Sequence, residues 1–281
     1  VESWGVFRSE RHPWYGLKDA KLTVAECRRL AAIAKDLGVE IIPFFNIFGH
    51  ACATRAWSGK NAILDSRPER QALFEPLYGF NWYLSNPSAR QVICDLVGEL
   101  HEAFGRPKHF HLGCDEADPP SCAECCAADY GALLADHVLA VQDHVRRLGA
   151  RPMMAADYIW WRRDEYLKRV SKEIIQGNWY YGVNFDYENM KGPRRSYVEA
   201  YLWLNEAGYC SNYVEWYDRK ELGLTKNELN IPRTIEFARK HIDARHLLGF
   251  ACSCWSGTSP RGDRRWFEAC EQFAREKERH S

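Results

Sequence analysis

The sequence has no surplus of charge of either sign: 38 Lys and Arg stand against 38 Asp and Glu. Binding to a polyanion needs a basic excess to displace its counterions. Nucleic acid and anionic membrane are therefore not expected partners. Long hydrophobic runs are missing too. The longest, VEIIPFFNIF at 39–48, is interrupted by Pro43 and Asn46 and falls well short of the roughly 20 apolar residues that cross a bilayer as a helix. The opening residues lack the basic, apolar and small-residue succession of a secretory signal. They also lack a methionine, so an upstream segment is expected. No G-x-G-x-x-G follows any apolar run, which weakens a dinucleotide site. No cofactor is expected.

Cysteine is plentiful, eleven in all, but the number is odd, and Cys122, Cys125 and Cys126 crowd together, as do Cys252 and Cys254. Reduced thiols in a cytoplasmic protein fit this better than a disulfide framework. A C-x-x-C pair can offer zinc two thiolates. No second spaced pair follows it, so the cluster reads as loop thiols and no metal is expected. Aromatic residues make up 14% of the chain, with eleven Trp and fourteen Tyr. Flat side chains carrying one polar atom suit sugar rings, although any single Trp more often fills a core.

At 281 residues one α/β barrel fits as a single domain over 1–281. Helical and apolar segments alternate. TVAECRRLAAIAKDLG starts at Thr23, a candidate N-cap, and stops at Gly38; VEIIPFFNIF follows as a buried strand. A polar stretch to about residue 85 is too long for a plain connection. NPSARQVICDLVGELHEAF, with Asn86 as cap and Pro87 at its first position, reads as the next helix, and HFHLG as its strand. Four more such pairs follow, the first of them ending in RPMMAADYIWW at 151–161 as its strand, and a terminal helix closes the chain, giving six helix-then-strand units. Apolar strands alternating with helices indicate a parallel sheet.

Polar and aromatic residues gather at one end of these units. Asn46 and His50, Asp115 and Glu116, Asp157 with Trp160 and Trp161, Trp179 with Tyr180, Tyr213 with Glu215, and Trp255 all fall at or just beyond the C-terminal end of an expected strand. In α/β barrels that rim holds the active site. Adjacent strand residues point to opposite faces, so Asp115 and Glu116 can share one site only where the strand ends and turns. Two carboxylates near one substrate drive their proton affinities apart, leaving one to donate a proton while the other stays charged. Glycoside cleavage uses that division; a helix N-cap with solvated acids is the competing reading of the same residues.

FHLGCDE resembles the H-x-G-G-D-E motif of family-20 glycoside hydrolases, the β-N-acetylhexosaminidases, with Cys114 in place of the second glycine. VEIIPFFNIFGH is similar to that family's third strand ending in P-G-H, YVE at 213–215 to its Y-x-D element, and GFACSCWSG to its closing W-x-E strand. The GCDE variant and the cysteine-bearing loop after it look most like the hexosaminidase D branch. The resemblance implies a TIM (β/α)8-type barrel that here lacks the first strand-helix unit and most of the second strand. An open barrel exposes sheet edges, so a homodimer is compatible with it. The implied reaction is retaining removal of a terminal β-linked N-acetylhexosamine (GlcNAc or GalNAc), with the substrate's 2-acetamido group as nucleophile. By resemblance, Glu116 is the acid and base, Asp115 holds the acetamide nitrogen and Tyr213 its oxygen. Trp160 or Trp161, Trp179 and Trp255 wall the sugar, and His50 lies beside the acid. Departures are Asn46 and Glu215 where the family commonly has Asp, and Gly257 where it has the acid of W-x-E. The expected partners are glycans and glycosides of N-acetylhexosamine. The alternative expectation is a non-catalytic carbohydrate-binding protein on the same scaffold.

Overall fold

A computed structural model describes residues 5–16, 22–51, 63–76, 79–116, 119–216, 229–253 and 263–280. The chain divides into two compact units, Val1–Tyr158 with Arg162–Ile174, and Ile159–Trp161 with Ile175–Ser281. Among the described residues, no helix is long and apolar enough to cross a membrane.

In the first unit, β1 (Phe7–Arg8) pairs in parallel with β2 (Leu22–Thr23). Thr23 then caps α1 (Val24–Asp36) as the sequence predicts. Its hydroxyl accepts the Glu26 N–H at 3.2 Å while the Glu26 carboxylate accepts the Thr23 N–H at 2.7 Å. This reciprocal box satisfies two of the donors a helix start leaves open. Those hydrogen bonds from Thr23 hold Glu26 below the usual carboxylate range. The helix stops at Leu37, and Gly38 follows at φ 68°, a backbone position that glycine takes without a Cβ clash.

The segment 39–48 departs from expectation: in place of a full strand it makes one parallel bridge, Phe44 to His111. The Pro43 carbonyl accepts the His111 N–H at 2.9 Å, and the Phe45 and Ile47 amides donate to His111 and Leu112 at 2.9 and 3.0 Å. Pro43 has no amide to extend the ladder. His137 of α5 (Tyr130–Arg147) supplements it with a 2.8 Å hydrogen bond from Nε2 to the Ile47 carbonyl. Burial pushes that imidazole down to about 4, so it is neutral.

The long polar stretch contains α2 (Ile63–Ser66), a 3-10 turn over Pro68–Leu73 and an antiparallel bridge from Phe74 to Trp82. Asn86 caps α3 (Pro87–Ala103), accepting the Ser88 N–H at 2.8 Å. Ala89, Ile93, Leu96, Val97 and Leu100 form its buried face. β3 (His109–His111) leads to α4 (Ala123–Ala127) and α5. β4 (Arg151–Ala155) pairs in parallel with β3, with Phe110 opposite Pro152. Pro152 to Ala155 are all buried, as a strand covered on both faces requires. The chain beyond β4 turns into a 3-10 segment, Asp157–Trp160, before α6 (Arg163–Arg169).

The second unit carries β5 (Ile175–Gly177), α7 (Arg194–Glu206), β6 (Ser211–Trp216), α8 (Asn230–His241), β7 (Leu247–Ser253) and α9 (Asp263–His280). β6 pairs in parallel with both β5 and β7. A register shift lies between Ser211, opposite Leu247, and Asn212, opposite Gly249. Tyr180, Val198, Tyr201, Phe237, Ala238 and Ile242 form its core. Asn230, wholly buried at the start of α8, donates to the Tyr180 and Gly182 carbonyls at 2.8 and 2.7 Å.

Candidate active site

Two turns of the first unit bring the expected acid pair beside the expected histidine. The first is 46–51, pinned by Trp82: its indole donates to the Asn46 carbonyl and its amide to the Phe48 carbonyl, each at 3.0 Å. The second is Gly113–Glu116, where β3 ends. Gly113, Cys114 and Glu116 take φ 69°, 73° and 49°, and His50 takes 49°. For residues other than glycine this left-handed region costs roughly 1–2 kcal/mol each. Close packing enforces it. A Cβ on Gly49 would stand 2.9 Å from the Asp115 carbonyl oxygen, and one on Gly113 would overlap the Asn46 amide at 1.7 Å. Asn46 is buried there, 4% exposed.

His50 Nε2 lies 3.5 Å from Asp115 Oδ2 and 3.4 Å from Glu116 Oε2, and its ring packs against Phe80 at 4.7 Å. The two acids differ in depth. The Asp115 side chain is 19% exposed and that of Glu116 56%. Burial raises Asp115 above its usual range, with His50 pulling the other way. Among the described residues no donor from another residue reaches its buried Oδ1. A third acid completes the cluster: the Glu116 N–H donates to Asp157 Oδ2 at 2.8 Å. Burial first, and then the Asp115 charge, push Asp157 up to about 7. Beneath the turn, His111 Nδ1 accepts the Gly113 N–H at 3.0 Å, and burial lowers His111 to about 3. It is a neutral structural acceptor. An exposed carboxylate, a partly buried one and an imidazole within reach of both can divide proton donation from charge stabilisation.

In the second unit the aromatic residues pack as one group. Trp160 stacks on Tyr197 at 3.8 Å and meets Trp179 edge-on at 4.4 Å, while Trp179 stacks on Tyr181 at 4.8 Å. The Trp160 indole donates to Asn178 Oδ1 at 2.8 Å, and Asn178 donates in turn to the Tyr197 carbonyl at 3.0 Å.

No family model and no curated protein sequence matches the chain. Solved structures do. A chitobiase from Flavobacterium johnsoniae superposes on 98% of this chain with a TM-score of 0.66 at 19% identity. The β-N-acetylhexosaminidase from Bacteroides fragilis does so over 98% at 0.66 and 15%, and a glycoside hydrolase family 20 β-N-acetylglucosaminidase over 96% at 0.60 and 15%. The fold is that of the family-20 glycoside hydrolases. The chain spans 42%, 57% and 59% of those three proteins.

On this family-20 fold the residues expected to be functional divide into four groups. Asn46, His50, Asp115 and Glu116 converge in the first unit. Trp160 is 8% exposed, Trp179 half-buried and Trp161 60% exposed in the second. Tyr213 and Glu215 lie on β6, opposite Phe250 and Cys252 of β7; Trp255 and Gly257 lie outside the described residues. The strand expected through Trp161 ends at Ala155, so the two tryptophans leave from the 3-10 segment and the turn after it. Sequence reading placed Asp157 on the rim without a partner. Its hydrogen bond to Glu116 joins positions 41 apart, and no local pattern announces that. Phe80 was missed altogether, being one aromatic among many in the polar stretch.

Proposed function

We propose that the protein is a retaining exo-glycosidase that removes terminal β-linked N-acetylhexosamine by substrate assistance. The observation carrying this reading is the unequal depth of the acid pair around His50. Glu116 is open enough to meet a glycosidic oxygen, and Asp115, deeper but still 19% exposed, offers a carboxylate that a substrate N–H would meet. The motif resemblance and the family-20 fold support it.

In the first step Glu116 gives its proton to the leaving oxygen while the acetamide oxygen bonds to the anomeric carbon, closing a cationic oxazolinium ring. Asp115 accepts the acetamide N–H and balances the positive charge, and by resemblance Tyr213 orients the acetamide oxygen. In the second step Glu116 takes a proton from water, which opens the ring with net retention. Holding the internal nucleophile in line can remove about 7 kcal/mol or more of the barrier. By resemblance Trp160 or Trp161, Trp179 and Trp255 enclose the sugar, and Gly257, where the family carries the acid of W-x-E, alters which epimer is accepted. Removing a hydrogen-bonding group changes selectivity among sugar hydroxyls more than removing apolar bulk does.

The test is hydrolysis of matched aryl glycosides by the purified chain, with N-acetylglucosamine and N-acetylgalactosamine substrates beside glucose and galactose ones. Turnover confined to the acetamido sugars is expected. Glu116→Gln should abolish turnover of substrates with poor leaving groups while preserving sugar binding, and Asp115→Asn should slow acetamido substrates. Equal turnover of plain glycosides, or full activity in Glu116→Gln, would refute the mechanism.

A further inference from the structure

The cysteine-bearing loop that reads as loose thiols in the sequence is organised around a buried carboxylate. Cys122 caps α4 with its sulfur, Sγ accepting the Cys125 N–H at 3.2 Å. Both side chains are buried, and so is Glu75, which reaches them from beside the antiparallel bridge between Phe74 and Trp82, where its own N–H donates to the Asn81 carbonyl at 2.9 Å. Glu75 Oε2 accepts the Ser121 and Cys122 amides at 3.0 and 2.8 Å, with the Ser121 hydroxyl at 3.2 Å. Those bonds hold the carboxylate so that Oε1 turns to the thiols, 3.5 Å from Cys122 Sγ. One oxygen of Glu75 and the sulfurs of Cys122 and Cys125 lie within 4.8 Å of one another.

We propose that Glu75, Cys122 and Cys125 bind a single zinc ion. Tetrahedral zinc with sulfur at about 2.3 Å and oxygen at about 2.1 Å sets its S···O edge at about 3.6 Å, close to the observed 3.5 Å. Ser85 Oγ, 3.2 Å from Cys125 Sγ, takes the fourth position or holds the water that does. The backbone amides on Glu75 Oε2 are the outer hydrogen bonds that orient a ligating carboxylate. Cys126 takes no part: its exposed thiol turns to the Pro120 carbonyl at 3.2 Å. The ion needs both thiols deprotonated; two thiolates and one carboxylate against one Zn2+ leave a net charge of minus one, which the amides of Ser121, Cys122 and Cys125 offset. Its role is to clip Glu75, beside the Phe74–Trp82 bridge, to the cysteines at the start of α4. This proposal does not depend on glycosidase activity.

The purified full chain, grown with zinc and kept reduced, should carry about one zinc per chain by elemental mass spectrometry. Cobalt exchanged into the wild-type chain should give thiolate-to-cobalt charge-transfer absorption with tetrahedral ligand-field bands, a reading that needs no variant to fold. Cys125→Ser should lower zinc below about a tenth of the wild-type content, while Cys126→Ser leaves it unchanged. A zinc-free wild-type chain overturns the proposal, whether mass spectrometry finds Cys122 and Cys125 as free thiols or joined in a disulfide. Full zinc retention in Cys125→Ser overturns it as well.

Discussion

Asp157→Asn isolates one buried charge with a defined task. Asp157 lies under the Gly113–Glu116 turn with its side chain accepting the Glu116 amide at 2.8 Å, and it is pushed from 3.8 up to about 7. A folded-state value above the unfolded one means that, between those limits, the folded protein holds a proton the unfolded chain has released. Stability then falls as pH rises through the window and levels off above it. The separation of about three units is worth about 4 kcal/mol in full, of which about 2–3 kcal/mol falls between pH 5 and pH 8. Asparagine keeps an oxygen for the Glu116 N–H and never charges. The variant should therefore gain on wild type by about 2–3 kcal/mol as pH rises from 5 to 8, and removal of the negative neighbour should ease ionisation of Asp115 in the same direction. Urea unfolding followed by tryptophan fluorescence at pH 5, 6, 7 and 8 supplies both free energies. A difference that stays flat with pH, or that favours aspartate at pH 8, would refute this account of the buried acid. Asp157→Ala makes the contrast. It leaves the Glu116 amide without its Asp157 acceptor, which costs about 1–3 kcal/mol, and it should also depress turnover of an acetamido aryl glycoside because that hydrogen bond no longer draws Glu116 into its turn.

Three further outcomes are expected. Gly49→Ala puts a Cβ 2.9 Å from the Asp115 carbonyl oxygen and 3.5 Å from that of Glu116; backbone must give way, and kcat on an acetamido aryl glycoside should fall at least about tenfold, the equivalent of 1.4 kcal/mol. Thr23→Ala removes the capping box of α1 and should lower unfolding free energy by about 1 kcal/mol, with activity unchanged. Trp160→Phe removes the donor to Asn178 Oδ1, and leaving that buried acceptor open should cost about 1–3 kcal/mol in urea unfolding.

What the sequence reveals and what it hides follows the range of the interactions. Caps at Thr23 and Asn86 were legible because the hydrogen bonds that make them span two or three residues. The alternation of helices with apolar strands was legible for the same reason, and it led to the barrel class that the family-20 fold bears out. The strand at 39–48 was over-read because apolar content does not register that Pro43 lacks the amide a ladder needs. The end of β4 at Ala155 was over-read as well; the following aromatics look like strand residues, yet the chain turns there into a 3-10 segment. Contacts between distant positions left no trace at all. Asp157 with Glu116, and Glu75 with the cysteine loop, are joined by hydrogen bonds across 41 and 47 positions, and each is a buried carboxylate that composition alone would place in solvent.

The backbone offers a separate route to the same site. Four described residues other than glycine have positive φ, and three of them are His50, Cys114 and Glu116. Such conformations persist only where the surroundings over-determine them, and each determinant here is identifiable. The Gly49 backbone approaches the Asp115 carbonyl too closely for a side chain, the Asn46 amide fills the place of a Gly113 side chain, and Asp157 draws the Glu116 amide downward. Cys114 takes φ 73° at the position where the resembling motif carries glycine, so the chain bears strain that a glycine would relieve. A buried acid near pKa 7 and three strained residues all reduce stability. Their common consequence is one geometry, in which Glu116 leaves the turn toward solvent while Asp115 stays beneath it beside His50. A turn relaxed into ordinary φ would carry the two adjacent side chains to opposite faces of the strand, and the acid pair would no longer share a site.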